Sequence, residues 1–283
     1  MNPGPTELEP GAGVFAETLG AARASERLAG RRVLVVGAGQ RLTVDADPPI
    51  GNGRAIAVLC AREGAAVACL DIVAEAAEGA RRQIAGEGGK AVALVADVAD
   101  PAAIERSLDE SVVALEGLDG IVLNVGTSFG KQLADQTPES WDREFSINLR
   151  SHMLYAQKAL RVMPPGSSIV LVSSIAALSA TARNPAYESS KAAQLALARS
   201  IARAGEPKAI RCNAIAPGLI DTPLGRDAGR HRAGRSALVP FGRQGTAWEV
   251  AYATLFLLSH EASYVNGTCL VVDGGLSIGI ARA

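Results

Sequence analysis

The stretch that decides the fold runs from Arg32 to Asp71, RVLVVGAGQRLTVDADPPIGNGRAIAVLCAREGAAVACLD. Arg32 to Val36 is an aliphatic, largely β-branched run that reads as a buried strand. It turns through Gly37-Ala38-Gly39, resumes at Gly51-Asn52-Gly53, and enters an apolar helical run over 53–63. A second strand at 66–71 ends on Asp71. Strand, glycine turn, helix, strand is the opening of a parallel unit in which the helix N-terminus, with its free N–H groups and dipole, attracts a pyrophosphate. Glycine is ordinary at any strand-to-helix turn, so the cluster draws its weight from sitting on the first strand.

Two features qualify that reading. Eleven residues, Gln40 to Ile50, separate the halves of the turn, where a tight phosphate loop has about one. Either this insertion at 40–50 loops outward from an intact turn, which long surface loops do at little entropic cost, or it dismantles the turn. The first is the expectation. Asp71 stands 18 residues beyond Gly53, near the distance of about 20 at which an acidic residue binds the adenosine ribose hydroxyls. A carboxylate there repels a 2′-phosphate, which predicts NAD over NADP, with Arg41 as the nearby cation able to reverse the preference. Asp71 would serve equally as a helix N-cap.

Outward from this stretch the same alternation continues. Strands are expected at 91–96, 120–124, 168–173, 210–215 and 268–272, and helices at 73–86, 101–115, 138–163, 186–204 and 246–259. About seven strands joined by helical crossovers make an α/β fold, a Rossmann-type doubly wound parallel sheet with helices on both faces and its ligand beyond the carboxyl ends of the strands. The organisation expected is an N-terminal extension over 1–29, with a short amphipathic helix near Val14 to Leu28, and one domain over 30–283.

Composition narrows the class of function. A net charge of −1, from 28 basic and 29 acidic residues, gives no field for nucleic acid or an anionic membrane surface. No apolar window approaches the roughly 18 residues of a membrane span, and residues 1–30 lack a signal-peptide pattern. Cys60, Cys69, Cys212 and Cys269 lie in apolar runs without metal-ligand spacing, as reduced thiols of a cytoplasmic protein do. No metal site is expected.

The candidate chemistry lies on the helix at 186–204. Tyr187 and Lys191, four residues apart, share one face. At about 5 Å and an effective dielectric near 20, an ammonium stabilises a phenolate by roughly 3 kcal/mol, enough to draw a phenol from about 10 toward 8. Tyr-x-x-x-Lys is common on solvated helices, but this helix is apolar almost all round, and buried Tyr and Lys require partners. Ser174, at the end of the strand at 168–173, offers a hydroxyl to a substrate oxygen, and Asn148 offers a donor and an acceptor for a water leading toward Lys191.

With these residues in place, the chain from about Gly30 resembles the short-chain dehydrogenase/reductase family. The ordered matches are the glycine loop Gly37, Gly39, Gly51, Asn52 and Gly53, then Asp71, Asp97-Val98, Asn124-Val125-Gly126, Asn148, Ser174, Tyr187, Lys191, Pro217-Gly218 and Thr222. The resemblance implies that Asp97 and Val98 meet the adenine, Asn124 and Gly126 line the ribose side, and Ile220 and Thr222 hold the nicotinamide carboxamide beside Pro217 and Gly218. It implies hydride transfer between NAD(H) and a secondary alcohol or ketone. Tyr187 is the acid or base, Ser174 orients the substrate oxygen, Lys191 lowers the phenol pKa and binds the ribose, and Asn148 anchors a relay water. Val36, Leu123 and the insertion depart from the family pattern. A substrate lid is implied at 219–240, where Arg226, Arg230, His231, Arg232 and Arg235 suit an anionic substrate or a merely solvated loop. A homotetramer, with a dimer second, is also implied, and Met153, Leu154, Tyr155, Leu160 and Val162 supply apolar surface for it. The competing readings are non-redox lyase or epimerase chemistry on the same fold, and a non-catalytic nucleotide-binding regulator.

Overall fold

The computed structural model describes residues 13–41, 48–179, 183–229 and 234–278. Asp45 and Asp47 of the insertion, and Arg230, His231 and Arg232 of the basic segment, lie outside the described residues. In chain order the elements are β1 (Arg32–Val36), α1 (Asn52–Arg62), β2 (Ala66–Asp71), α2 (Ala74–Gly86), β3 (Lys90–Val95), α3 (Pro101–Leu115), β4 (Gly120–Leu123), α4 (Pro138–Phe145), a π-helical turn (Ser146–Arg150), α5 (Ser151–Val162), β5 (Ser168–Val172), α6 (Pro185–Gly205), β6 (Arg211–Pro217), β7 (Ile220–Asp221), α7 (Pro223–Gly229), β8 (Gly245–Thr246), α8 (Ala247–Leu258) and β9 (Cys269–Val272).

Seven strands form one parallel sheet in the order β3-β2-β1-β4-β5-β6-β9, and β7 pairs with β8 in a separate two-stranded sheet. The chain builds outward from β1 to β3, then returns to β4 beside β1 and builds the other way. Such a reversal is where a doubly wound sheet has its ligand crevice, beyond the carboxyl ends of the strands. Alternation along the strands divides the core. Val33, Val35, Val122, Val170 and Val172 pack under α1 and α8, whereas Leu34, Val36, Ile121, Leu123, Ile169 and Leu171 pack under α3, α5 and α6. Both faces being covered, the central strands read as unbroken apolar runs.

Local chemistry sets the helix starts. Asp100 caps α3 by accepting Ala102 N–H at 2.9 Å, with Pro101 following. Thr246 and Glu249 form a reciprocal capping box on α8. The single helix expected at 138–163 is instead three pieces. The π-helical turn at 146–150 carries Asn148, and it is here that the Gln194 side chain of α6 hydrogen-bonds this backbone. The amphipathic helix expected near Val14 to Leu28 is a chain of turns, because Phe15 and Leu19 stay exposed rather than sharing an apolar stripe and Gly20, at φ 66°, lies flat on the Trp248 ring. This segment is nonetheless anchored. Glu63 accepts the N–H groups of Ser25 and Arg27, Arg62 donates to the Gly20 carbonyl and stacks on Trp248, and Thr246 Oγ1 donates to the Thr18 carbonyl. Among the described residues no helix is long and apolar enough to cross a membrane, and no cluster of His, Cys, Asp and Glu is arranged to hold a metal.

Candidate active site

The glycine turn forms one wall of the crevice. Its two halves meet although eleven residues separate them: a Cβ placed on Gly51 would lie 3.8 Å from the Gly39 carbonyl, and Gly51 N–H donates to Gln40 Oε1 at 3.3 Å. Gly53 packs on the Gly37 carbonyl so closely that a Cβ would fall 1.7 Å from its oxygen, and Gly37 itself sits at φ 82°. Asn124, after β4, donates to the same carbonyl at 2.8 Å, so its amide braces the glycine turn.

Asp71 Oδ2 accepts Gly39 N–H at 3.0 Å and Oδ1 accepts Val73 N–H at 3.1 Å, which fixes a carboxylate beside the turn. Arg54 is a second cation in its neighbourhood besides Arg41. Its guanidinium leans over α2 and donates to the Ala76 carbonyl at 3.2 Å.

These residues fit a dinucleotide. The first turn of α1 has no side-chain cap and no acidic residue, Gly51 and Gly53 put no side chain at its start, and Asn52 Oδ1 is buried without a hydrogen-bond partner. Further along the strand ends, Asp97 Oδ1 accepts Ala99 N–H at 2.9 Å and Val98 is buried beneath α3. Gly218 N–H donates to the Val272 carbonyl, and a Cβ there would meet the Asp273 Cβ at 2.6 Å. Ile220 and Thr222 are buried, with Thr222 Oγ1 accepting Gly225 N–H at the start of α7.

The opposite wall carries Ser174, Tyr187, Lys191 and Asn148. Tyr187 shares a hydrogen bond with Ser174. Lys191 Nζ lies 5.6 Å from the centre of the Tyr187 ring and donates to the Val172 carbonyl at 2.9 Å. Asn148 is wholly buried, with Oδ1 accepting Thr127 N–H at 2.8 Å and Nδ2 donating to Thr127 O and Ser190 Oγ. Its side chain therefore grips the loop after β4, and a single lone pair on Oδ1 is left for anything else.

The electrostatics differ from the expectation that the lysine would bring the phenol toward 8. Burial pushes Tyr187 up, against the Ser174 hydrogen bond that lowers it, and the Glu144 carboxylate adds to the rise. Burial also draws Lys191 down to about 7, so near neutrality its ammonium is only partly populated. Two enclosed groups each resist their own charge. Burial alone therefore favours the neutral phenol beside the neutral amine.

Several residues missed by the sequence reading complete the site. Glu144 is buried at the end of α4, raised in pKa by that burial, and accepts Phe129 N–H at 2.7 Å. Ser173 Oγ donates to the Lys191 carbonyl, and Ser190 Oγ to that of Tyr187. His152 and Gln194 are buried behind Asn148. Glu144 and Asn148, four apart, and Lys191 and Gln194, three apart, sit at helical spacing with the motif residues, which is the one signal the sequence offered for them.

A family model described as enoyl-(acyl carrier protein) reductase matches residues 50–277. Cyclopentanol dehydrogenase of Comamonas testosteroni is 37% identical over 231 residues, 80% of this chain and 92% of its own length. The (3R)-3-hydroxyacyl-CoA dehydrogenase of Mus musculus is 32% identical over 262 residues, covering 88% and 97% of the two chains. Among solved structures, a short-chain dehydrogenase/reductase from Serratia marcescens aligns with a TM-score of 0.81 at 31% identity over 89% of this chain and 99% of that one. A short-chain dehydrogenase from Burkholderia cenocepacia in complex with NADP aligns with 0.81 at 32% identity over 88% and 99%.

Proposed function

The chain belongs to the short-chain dehydrogenase/reductase family, and on that premise we propose that it is an NAD-dependent alcohol dehydrogenase or ketone reductase in which Tyr187 exchanges a proton with the substrate oxygen. The observation that carries this reading is the convergence of Ser174, Tyr187 and Lys191 at the carboxyl end of the sheet, facing a glycine turn that would accept a dinucleotide. When bound, the nicotinamide supplies the hydride acceptor or donor.

The residues of the chain do the rest. Ser174 and Tyr187 together hold the substrate oxygen, Ser174 by hydrogen bonding and Tyr187 by taking or returning its proton. Lys191 stabilises the tyrosinate that forms, because a negative phenol oxygen nearby restores the proton affinity that burial removes from the amine. Asn148 holds the Thr127 backbone and, with Gly126, the wall against which the Lys191 amine rests. The glycine turn Gly37, Gly39, Gly51, Asn52 and Gly53 is the expected seat of the pyrophosphate. Asp71 is that of the adenosine ribose, and Asp97, Val98, Asn124, Gly126, Pro217, Gly218, Ile220 and Thr222 line the remaining path.

Preference for NAD rests on Asp71, whose fixed carboxylate disfavours a 2′-phosphate. The substrate is a small alcohol or ketone. Relatives acting on cyclopentanol and on a hydroxyacyl-CoA bracket the neutral and anionic classes, and the paired Arg226 and Asp221, joined at 2.8 Å, weaken the anionic case.

A homotetramer, with a dimer second, is supported by a largely apolar groove of about 500 Å³ between α4, the π-helical turn, α5 and α6, lined by Phe145, Leu149, Met153, Ala193 and Leu197 together with Asp142, Ser146 and Arg150. Of the residues first assigned to that surface, Met153 and Val162 are exposed. Tyr155 instead lies in the core, its hydroxyl 2.8 Å from Ser107 Oγ. The buried free thiols Cys60, Cys69 and Cys212 support a reducing, cytoplasmic setting.

The test is a panel of secondary alcohols, cyclopentanol included, with NAD+ and NADP+, read by absorbance of the reduced dinucleotide. The reading expects reduction of NAD+ with at least about tenfold higher kcat/KM than NADP+. Nucleotide binding without reduction by any alcohol or oxidation by any ketone would hand the fold to non-redox chemistry.

A further inference from the structure

A closed ring of hydrogen bonds lies behind the catalytic face, built from two buried residues that no part of the proposed reaction uses. Gln194, on α6 one turn beyond Lys191, donates from Nε2 to the Asn148 backbone carbonyl at 2.5 Å and lies 3.0 Å from His152 Nδ1. His152, on α5, lies with Nε2 3.1 Å from the Val125 carbonyl. The contacts fix the proton positions. Val125 O can only accept, so His152 carries its hydrogen on Nε2, and Nδ1 is then the acceptor for the second N–H of Gln194. Burial and the Lys191 charge keep this imidazole neutral, drawing its pKa down to about 3. Flipping the Gln194 amide would set its oxygen against the Asn148 carbonyl, so the orientation is forced even though it leaves Gln194 Oε1 buried with no hydrogen-bond partner.

Asn148 closes the ring, since its side chain holds Thr127 by both N–H and carbonyl. The residue enclosed between Val125 and Thr127 is Gly126, and a Cβ on Gly126 would lie 3.0 Å from Lys191 Nζ. The backbone against which the amine rests is thus gripped on both flanks, from α5 on one side and from the π-helical turn on the other.

Building on the proposed dehydrogenase reaction, we infer that Gln194 and His152 are positioning residues for that reaction, holding Gly126 and the Asn148 carbonyl in register with Lys191. Neither touches the reacting atoms. Both act through the amine that stabilises the tyrosinate. Their loss should therefore slow turnover more than it weakens dinucleotide binding.

The experiment compares Gln194→Met, which keeps side-chain length and removes both donors, with His152→Phe and His152→Gln, using NAD+ and cyclopentanol as probes and Tyr187→Phe as the inactive control. The ring predicts at least a tenfold fall in kcat for Gln194→Met and His152→Phe, and a Kd for NAD+ within threefold of wild type. His152→Gln, which again presents a donor and an acceptor, should keep a third or more of kcat. Folded Gln194→Met and His152→Phe proteins with unchanged kcat would overturn the inference, as would parallel losses of kcat and NAD+ affinity in all three, the mark of a general loosening.

Should these variants not fold, or should the wild type not oxidise cyclopentanol, histidine side-chain nitrogen NMR of the unaltered protein decides. One of its three histidines must appear as the Nε2–H tautomer and must not titrate between pH 5 and 9. Three histidines that all titrate would sink the ring. Inactivity of the wild type would count against the dehydrogenase reading alone.

Discussion

Lys191 is where two demands conflict. Its amine must be charged to stabilise a tyrosinate, yet burial draws its pKa from 10.5 to about 7. Between those values the unfolded chain binds more protons than the folded one, so this residue makes the protein gain stability as pH rises from about 7 toward 10. Lys191→Met should abolish alcohol oxidation and remove that gain, seen by urea unfolding at pH 7 and pH 9, and an equal pH dependence in both proteins would contradict the assignment. Glu144 works in the other direction, since its carboxylate raises the Tyr187 pKa. Glu144→Gln keeps an acceptor for Phe129 N–H and removes the charge, so the rising limb of kcat/KM for alcohol oxidation should move to lower pH. A limb that stays in place or moves up would show that the two groups are uncoupled.

The motif residues Ser174, Tyr187 and Lys191 were legible in the sequence because helical spacing and strand ends decide their placement. The direction of the tyrosine shift was not legible. It depends on how deeply both groups are enclosed, and a pairwise attraction computed from spacing leaves out that desolvation. Glu144, His152 and Gln194 were hidden for a related reason: each is an ordinary polar residue until packing shows what it faces.

At the level of elements, the seven strands of the main sheet and the helices that cover it were readable within about two residues, because in a doubly wound sheet apolar runs, glycine turns and N-caps agree with one another. By contrast, β7, α7 and β8 were not anticipated, and neither was the break in the helix at 138–163. In the π-helical turn the Asn148 carbonyl accepts a hydrogen bond from Gln194, 46 residues away, and no periodicity within the segment reports it. The N-terminal segment was misread in the same way, since its turns form against α1 and α8. The glycine turn gives the sharpest test at this scale. Gly39→Ala would place a Cβ 2.5 Å from Asp71 Oδ2 and 2.6 Å from the Ala76 Cβ. It should weaken NAD+ binding at least about tenfold, from an overpacking cost of roughly 1–3 kcal/mol, measured by titration calorimetry. Undiminished affinity would remove the turn from the binding site.

For the molecule as a whole, the insertion and the outer helical faces set the predictions. Gly39 and Gly51 adjoin across the inserted residues, so replacing residues 42–49 by a short Gly-Ser link should leave NAD+ affinity within about threefold. Loss of binding would make the insertion part of the site. The groove between α4, the π-helical turn, α5 and α6 has none of Asn148, Ser174, Tyr187 or Lys191 in its lining, and sedimentation should find a tetramer, or a dimer, that Leu149→Glu disrupts. A wild type that sediments as a monomer would leave that apolar groove unexplained.

The central claim is that Tyr187 moves a proton while hydride leaves the carbinol carbon of an alcohol. It is tested most directly by incubating the protein with NAD+ and cyclopentanol deuterated at the carbinol position and following the reduced nicotinamide by NMR. The account predicts deuterium on one face of C4, a primary isotope effect on the transfer, and a loss of about a thousandfold or more in rate with Tyr187→Phe. Deuterium absent from C4, or transferred as fast by the phenylalanine variant, would contradict it.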